Sequence, residues 1–90
     1  MSEERAKILI VDDEPFNLDL LEQELMDDYD VVRAADGFEA LELADAEGPD
    51  MILMDIQMPG MNGLEAVQKL RESERHVSTQ VFMLTAQSRM

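Results

Sequence analysis

The sequence predicts an α/β domain: an open parallel sheet with helices on both faces. Three observations carry that expectation. Four short apolar runs rich in Val, Ile, Leu and Met recur along the chain, at residues 7–11, 29–34, 51–54 and 81–84. Stretches with apolar residues at helical spacing separate them. These crossovers are long enough to return each strand parallel to its predecessor, and buried parallel strands read as continuous apolar runs rather than alternating ones.

Each element follows from its residues. Residues 7–11 form an unbroken β-branched and leucine run, which fits a strand buried on both faces, and Asp12-Asp13-Glu14-Pro15 stops it. Residues 16–27 read as a helix, with Leu18, Leu21 and Leu25 on one face, Leu20 flanking and Pro15 near the first turn. Residues 29–34 are strand-like around Val31-Val32, and Asp36-Gly37 signals a turn. Residues 38–47 read as a helix with Ala40, Leu43 and Ala44 inward, ended by Gly48-Pro49. Met51-Ile52-Leu53-Met54 is a third buried strand, and a loop with glycine and proline spans 55–63. A third helix covers 64–74, with Leu64, Val67 and Leu70 or Arg71 along one side. A polar linker, 75–79, precedes a fourth strand, Val81-Phe82-Met83-Leu84, that ends at Thr85-Ala86. The order is βαβαβαβ, with neither repeat nor low-complexity tract.

Composition narrows the function. Ninety residues make one small domain with little stability to spare, and 46% hydrophobic content is ordinary for a folded one. Seven Lys and Arg against 21 Asp and Glu give a net charge of -14. That argues against direct nucleic-acid binding, which needs a basic footprint, and against an anionic membrane surface. Cysteine is absent, so disulfides, a thiol nucleophile and thiolate zinc are excluded. The single histidine, His76, excludes a histidine-rich metal site. The polar, acidic start and the shortness of every apolar run speak against a targeting or spanning segment, so a cytoplasmic location is expected.

The carboxylates point to a site. Asp12 and Asp13 follow the first strand and Asp55 follows the third. In open parallel sheets ligands bind beyond the C-terminal ends of the strands. If strands one and three are neighbours, three carboxylates converge in one crevice, with Thr85 facing it from the fourth strand. Carboxylates gathered so closely repel and are costly to bury. A hard divalent cation resolves this, and Mg2+, which uses one or two carboxylates and keeps several waters, suits the donors. The pattern therefore suggests a Mg2+ site beside a carboxylate able to act on phosphate. Other residues have plainer readings. A lone Asp at an element end is ordinarily a cap or turn former, which is the expectation for Asp36, Asp45 and Asp50. His76 is expected to be solvated, and Met58 and Met61 to pack locally.

Four blocks of text resemble the receiver domain of bacterial two-component response regulators. They are Ile8 to Pro15 (ILIVDDEP), Ala35 to Leu41 (ADGFEAL), Pro49 to Gly63 (PDMILMDIQMPGMNG) and Val81 to Ala86 (VFMLTA), in family order and spacing across nearly the whole chain. The resemblance implies a flavodoxin-like receiver fold. It implies that Asp55 is the phosphoacceptor, attacking phosphorus to give an acyl phosphate. Asp12 and Asp13 would hold Mg2+ with Asp55, Asp13 being the more direct ligand, and the backbone carbonyl of Gln57 would be a further ligand. Thr85 would hydrogen-bond the phosphoryl group, and the amides of Ile56 and Ala86 would cradle its oxygens. Pro59, Gly60 and Gly63 would shape the loop. Such a domain is a signalling module rather than an enzyme, and its partner is a sensor histidine kinase or a histidine phosphotransfer protein.

Against the family pattern, residues 1–90 read as an incomplete receiver, truncated after the fourth strand: the fourth helix, fifth strand and fifth helix are not in the sequence. The family lysine and the aromatic of the fifth strand are missing with them, and neither Lys7 nor Lys69 is placed to substitute. The apolar fourth strand is then expected at a sheet edge, which favours a homodimer by edge pairing, marginal folding, or a longer parent protein, the last being preferred. Two alternatives to a phosphoryl-accepting domain remain: a non-switching interaction module of the same fold, or the regulatory N-terminal segment of a larger output enzyme.

Overall fold

The computed structural model describes residues 5–55, 63–72 and 79–84. Seven elements run in the order β1 (Lys7–Val11), α1 (Pro15–Leu25), β2 (Asp30–Ala34), α2 (Gly37–Glu47), β3 (Met51–Asp55), α3 (Gly63–Arg71) and β4 (Gln80–Leu84). The alternation and the type of every element agree with the sequence reading, and their ends coincide or differ by at most three residues. Helix termini depend on local capping, which periodicity does not encode. Thus α1 begins at Pro15, whose missing N–H costs nothing at a first helical position. α2 begins at Gly37 because Asp36 caps it, its Oδ1 accepting from the Glu39 N–H at 2.8 Å. Glu39 Oε1 accepts from the Ala35 N–H at 2.8 Å, so it ties down the residue before the cap in a variant of the capping box. α2 ends at Gly48, where φ of 59° is a left-handed conformation that favours glycine.

The four strands form one parallel sheet in the order β2-β1-β3-β4. The chain steps from β1 to β2 on one side and then returns to β3 on the other. β1 and β3 are therefore neighbours across the point where strand order reverses. Val11 lies opposite both Ala34 and Met54, so Asp12 and Asp55, the next residues along, emerge at the same level. Among the described residues β4 ends the sheet on one side, and its Phe82 is 48% exposed.

Alternate strand residues serve opposite layers. Leu9, Val11, Ile52 and Met54 pack with Ala40 and Ala44 of α2 and Ala66 and Leu70 of α3. Ile8 and Ile10 pack with Leu18 of α1, supported by Leu21, Leu25, Val31, Met51 and Leu53. Helices thus cover both faces. Small alanines on α2 and α3 let these helices approach the bulky β1 and β3 side chains. Each fully buried Leu, Ile or Met contributes on the order of 1.5–3 kcal/mol. One expectation needs correction: Leu64 is 62% exposed, and Ala66 stands in the core instead. The inward stripe of α3 is 66, 67 and 70, and Leu64, in the first helical turn, lies off it. Leu20, which flanks the α1 stripe, is likewise exposed.

Candidate functional site

The C-terminal ends of β1 and β3 bring three acidic side chains together. One oxygen from each of Asp12, Asp13 and Asp55 lies within 4.8 Å of the others. Asp12 and Asp55 are buried, at 6% and 8% exposure, and Asp13 is exposed. The convergence expected from the sequence is therefore present, and for the expected reason: β1 and β3 are adjacent and in register.

Asp12 is held on several sides. Its backbone N–H donates to the Ala34 carbonyl at 3.1 Å, which continues the β1–β2 ladder by one step. Its Oδ1 accepts from the Glu14 N–H at 3.0 Å, and its Oδ2 from Asn17 Nδ2 at 3.3 Å. The turn into α1 thus wraps the carboxylate, and the positive end of the helix dipole favours its negative charge. Asn17 was not singled out from the sequence. The signal that finds it is positional: a side-chain donor in the first turn of the helix that leaves an aspartate-bearing strand end.

Asp36 also stands at this edge of the sheet, but it is spent on the α2 cap. Asp50 lies at the opposite edge, where its Oδ2 accepts from the Lys7 N–H at 2.9 Å. Both are structural, as expected of them. Ile56, Gln57, Thr85 and Ala86, the other expected site residues, lie outside the described residues, as do Met58, Pro59, Gly60, Met61 and His76.

Three carboxylates, two of them buried, make a hard, all-oxygen donor set with a charge of its own to neutralise. Such a set suits a hard divalent cation of the Mg2+ type, and it offers no soft ligand. A group of carboxylates at the switch point of a doubly wound α/β sheet stands where such sheets bind their ligands, and the receiver resemblance assigns these positions to phosphoryl uptake on an acidic side chain.

Comparison with known proteins agrees. The model of the response regulator receiver domain matches residues 8–90, and the chain belongs to that family. It is 42% identical over 81 residues to the alkaline phosphatase synthesis transcriptional regulatory protein PhoP of Bacillus subtilis, covering 89% of this chain and 33% of that protein. The chain thus spans about one-third of the length of this curated relative. Among solved structures it resembles the chemotaxis protein CheY4 of Vibrio cholerae, with a TM-score of 0.90 and 37% identity over 96% of this chain and 72% of that one. It also resembles the receiver domain of sensor histidine kinase PA1611 from Pseudomonas aeruginosa, a structure with a magnesium ion coordinated in the active-site cleft. That match has a TM-score of 0.87 and 33% identity over 92% of this chain and 69% of that one. The fold is accordingly the flavodoxin-like receiver fold, and the domain is a receiver-type signalling module. No helix among the described residues is long and apolar enough to cross a membrane.

Proposed function

We propose that this chain accepts a phosphoryl group on Asp55 in a Mg2+-dependent histidine-to-aspartate relay. The observation that carries the reading is the convergence of Asp12, Asp13 and Asp55 within 4.8 Å at the switch point of the sheet. Asp55 is the nucleophile. One carboxylate oxygen forms a bond to phosphorus as the bond to the leaving group breaks, giving an acyl phosphate. With a phosphohistidine donor the leaving group is the imidazole nitrogen; with a small acyl phosphate it is a carboxylate. A carboxylate is already ionised at neutral pH, so the attack needs no general base.

Asp12 and Asp13 would hold the cation together with Asp55. When bound, Mg2+ supplies positive charge that offsets the charge on the transferring oxygens. Burial of Asp12 and Asp55 keeps bulk water from screening that attraction. The family resemblance assigns Gln57 a backbone-carbonyl ligand role and gives Ile56, Thr85 and Ala86 contacts to the phosphoryl oxygens. Asp55 lies opposite Leu84 in the β3–β4 register, and Ile56 and Thr85 are the residues that follow these two in the sequence, which supports that assignment. Partners are a sensor histidine kinase or a histidine phosphotransfer protein, and the net charge of -14 favours a donor with a basic docking face.

The test is intact mass after incubation with acetyl phosphate. The chain is expected to gain one phosphoryl group with Mg2+ and none with EDTA. Asp55→Asn is expected to gain none while keeping its circular dichroism spectrum. Phosphoryl gain by the variant, or none by folded wild-type chain with Mg2+, would overturn the proposal.

A further inference from the structure

The reading of Asp12, Asp13 and Asp55 as a cation and phosphoryl site leaves one adjacent group without a role, the side chain of Asn17. We infer that Asn17 is a positioning residue that sets the orientation of the Asp12 carboxylate for Mg2+; the inference rests on the proposed function.

Asn17 Nδ2 lies 3.3 Å from Asp12 Oδ2, and the Glu14 N–H lies 3.0 Å from Oδ1. The atom facing Asp12 is the amide nitrogen of Asn17, which donates to the carboxylate oxygen. Two donors, one on each oxygen, fix the plane of the carboxylate about its Cβ–Cγ bond. Each oxygen accepts more than one bond, so both keep capacity for a further partner. At 6% exposure Asp12 has little access to water that could replace a lost donor.

Asn in a first helical turn ordinarily serves the helix itself by accepting from backbone N–H groups. Asn17 instead donates away from the helix, and Glu14 at the cap position makes no side-chain cap bond. The first turn of α1 is organised around Asp12 rather than around its own capping. At 3.3 Å the bond is longer than the charge-assisted optimum, so its value lies in direction more than in strength. Groups that orient a metal-binding carboxylate in this way commonly change metal affinity by 10–100-fold when removed. Asp13 is exposed and can turn toward an arriving cation, whereas Asp12 is set beforehand.

The experiment is calorimetric titration of Mg2+ into the chain, Asn17→Leu and Asn17→Gln, with urea unfolding of all three in EDTA. Leucine removes the donor and is a better helix former than asparagine; glutamine keeps the amide. The Mg2+ dissociation constant is expected to rise about tenfold in Asn17→Leu, and Asn17→Gln is expected to recover most of that loss. Unchanged Mg2+ affinity in Asn17→Leu, whatever its stability in EDTA, overturns the inference and leaves the proposed function standing. Equal weakness in both variants also overturns it, because the amide is then not the operative group. Failure of the unaltered chain to bind Mg2+ overturns the cation reading and this inference together.

Discussion

The two ends of the sheet handle charge in opposite ways. At the N-terminal end of the strands, charges are matched. Lys7 Nζ meets Glu47 Oε1 at 2.9 Å, and the Lys7 N–H meets Asp50 Oδ2 at 2.9 Å, while Asp50 N–H returns to the Lys7 carbonyl at 2.8 Å. Arg5 donates to the carbonyls of Met26 and Asp27, both at 2.9 Å, and so satisfies the end of α1. At the C-terminal end, three carboxylates face one another within 4.8 Å, two of them buried. The first end holds the strands in register. The second gathers carboxylates that a cation could bridge. The same sheet supplies both because parallel strands place all their starts at one end and all their finishes at the other.

The largest effect should come from removing one charge of the trio. Like charges about 5 Å apart repel by roughly 1–3 kcal/mol at effective dielectric constants between water and a protein surface. Asp13→Asn should therefore unfold at higher urea than the unaltered chain in EDTA. It should also gain less stability when Mg2+ is added, because its cation site is weakened. Urea titrations of both proteins, with and without Mg2+, read the two changes together. Asp13→Asn less stable than the parent in EDTA would break the comparison, since the trio would then be satisfied without a cation.

Much of this contrast was legible in the sequence, and the reason is periodicity. Continuous apolar runs marked β1, β3 and β4, and the strand ends marked Asp12, Asp13 and Asp55. The step from strand ends to a shared crevice needed only that β1 and β3 be neighbours. What periodicity hides is direction and depth. Leu64 and Ala66 differ by two positions on α3, yet the larger side chain is the exposed one. Asn17 carries no hydropathy signal, and its bond to Asp12 exists only because the turn after β1 folds α1 back over the strand end. The pairing of Lys7 with Glu47 joins residues far apart in the chain, and sequence spacing says nothing of it.

A smaller effect separates two carboxylates at the same end. Asp36 stands beyond β2 but serves α2 as its cap. Asp36→Ala should cost about 1 kcal/mol, the usual price of a lost N-cap. The loss should be the same in EDTA and in Mg2+, unlike that at Asp13. A Mg2+-dependent loss at Asp36 would sharpen the contrast differently, by bringing the β2 end into the cation site.

The smallest effect belongs to the matched end. The Glu47 hydrogen bond holds the Lys7 pKa above its ordinary 10.5, with the charges of Glu47, Asp30 and Asp50 adding to it against partial desolvation. A raised pKa on a cation means that its stabilising contribution is fully present below the unfolded value and is lost as pH rises through the folded one. Lys7→Met keeps most of the aliphatic stem and removes the charge. The stability difference between the two proteins should be constant in neutral and mildly alkaline buffer, small because the pair is solvent-accessible, and should fade above pH 10.5. It should not respond to Mg2+ at all. Urea unfolding at stepped pH measures the difference, and common titrations elsewhere in the chain cancel in it. A difference that persists into strong alkali would show that the Lys7 charge is not what separates the two proteins, and the pairing with Glu47 would then contribute nothing measurable to this end.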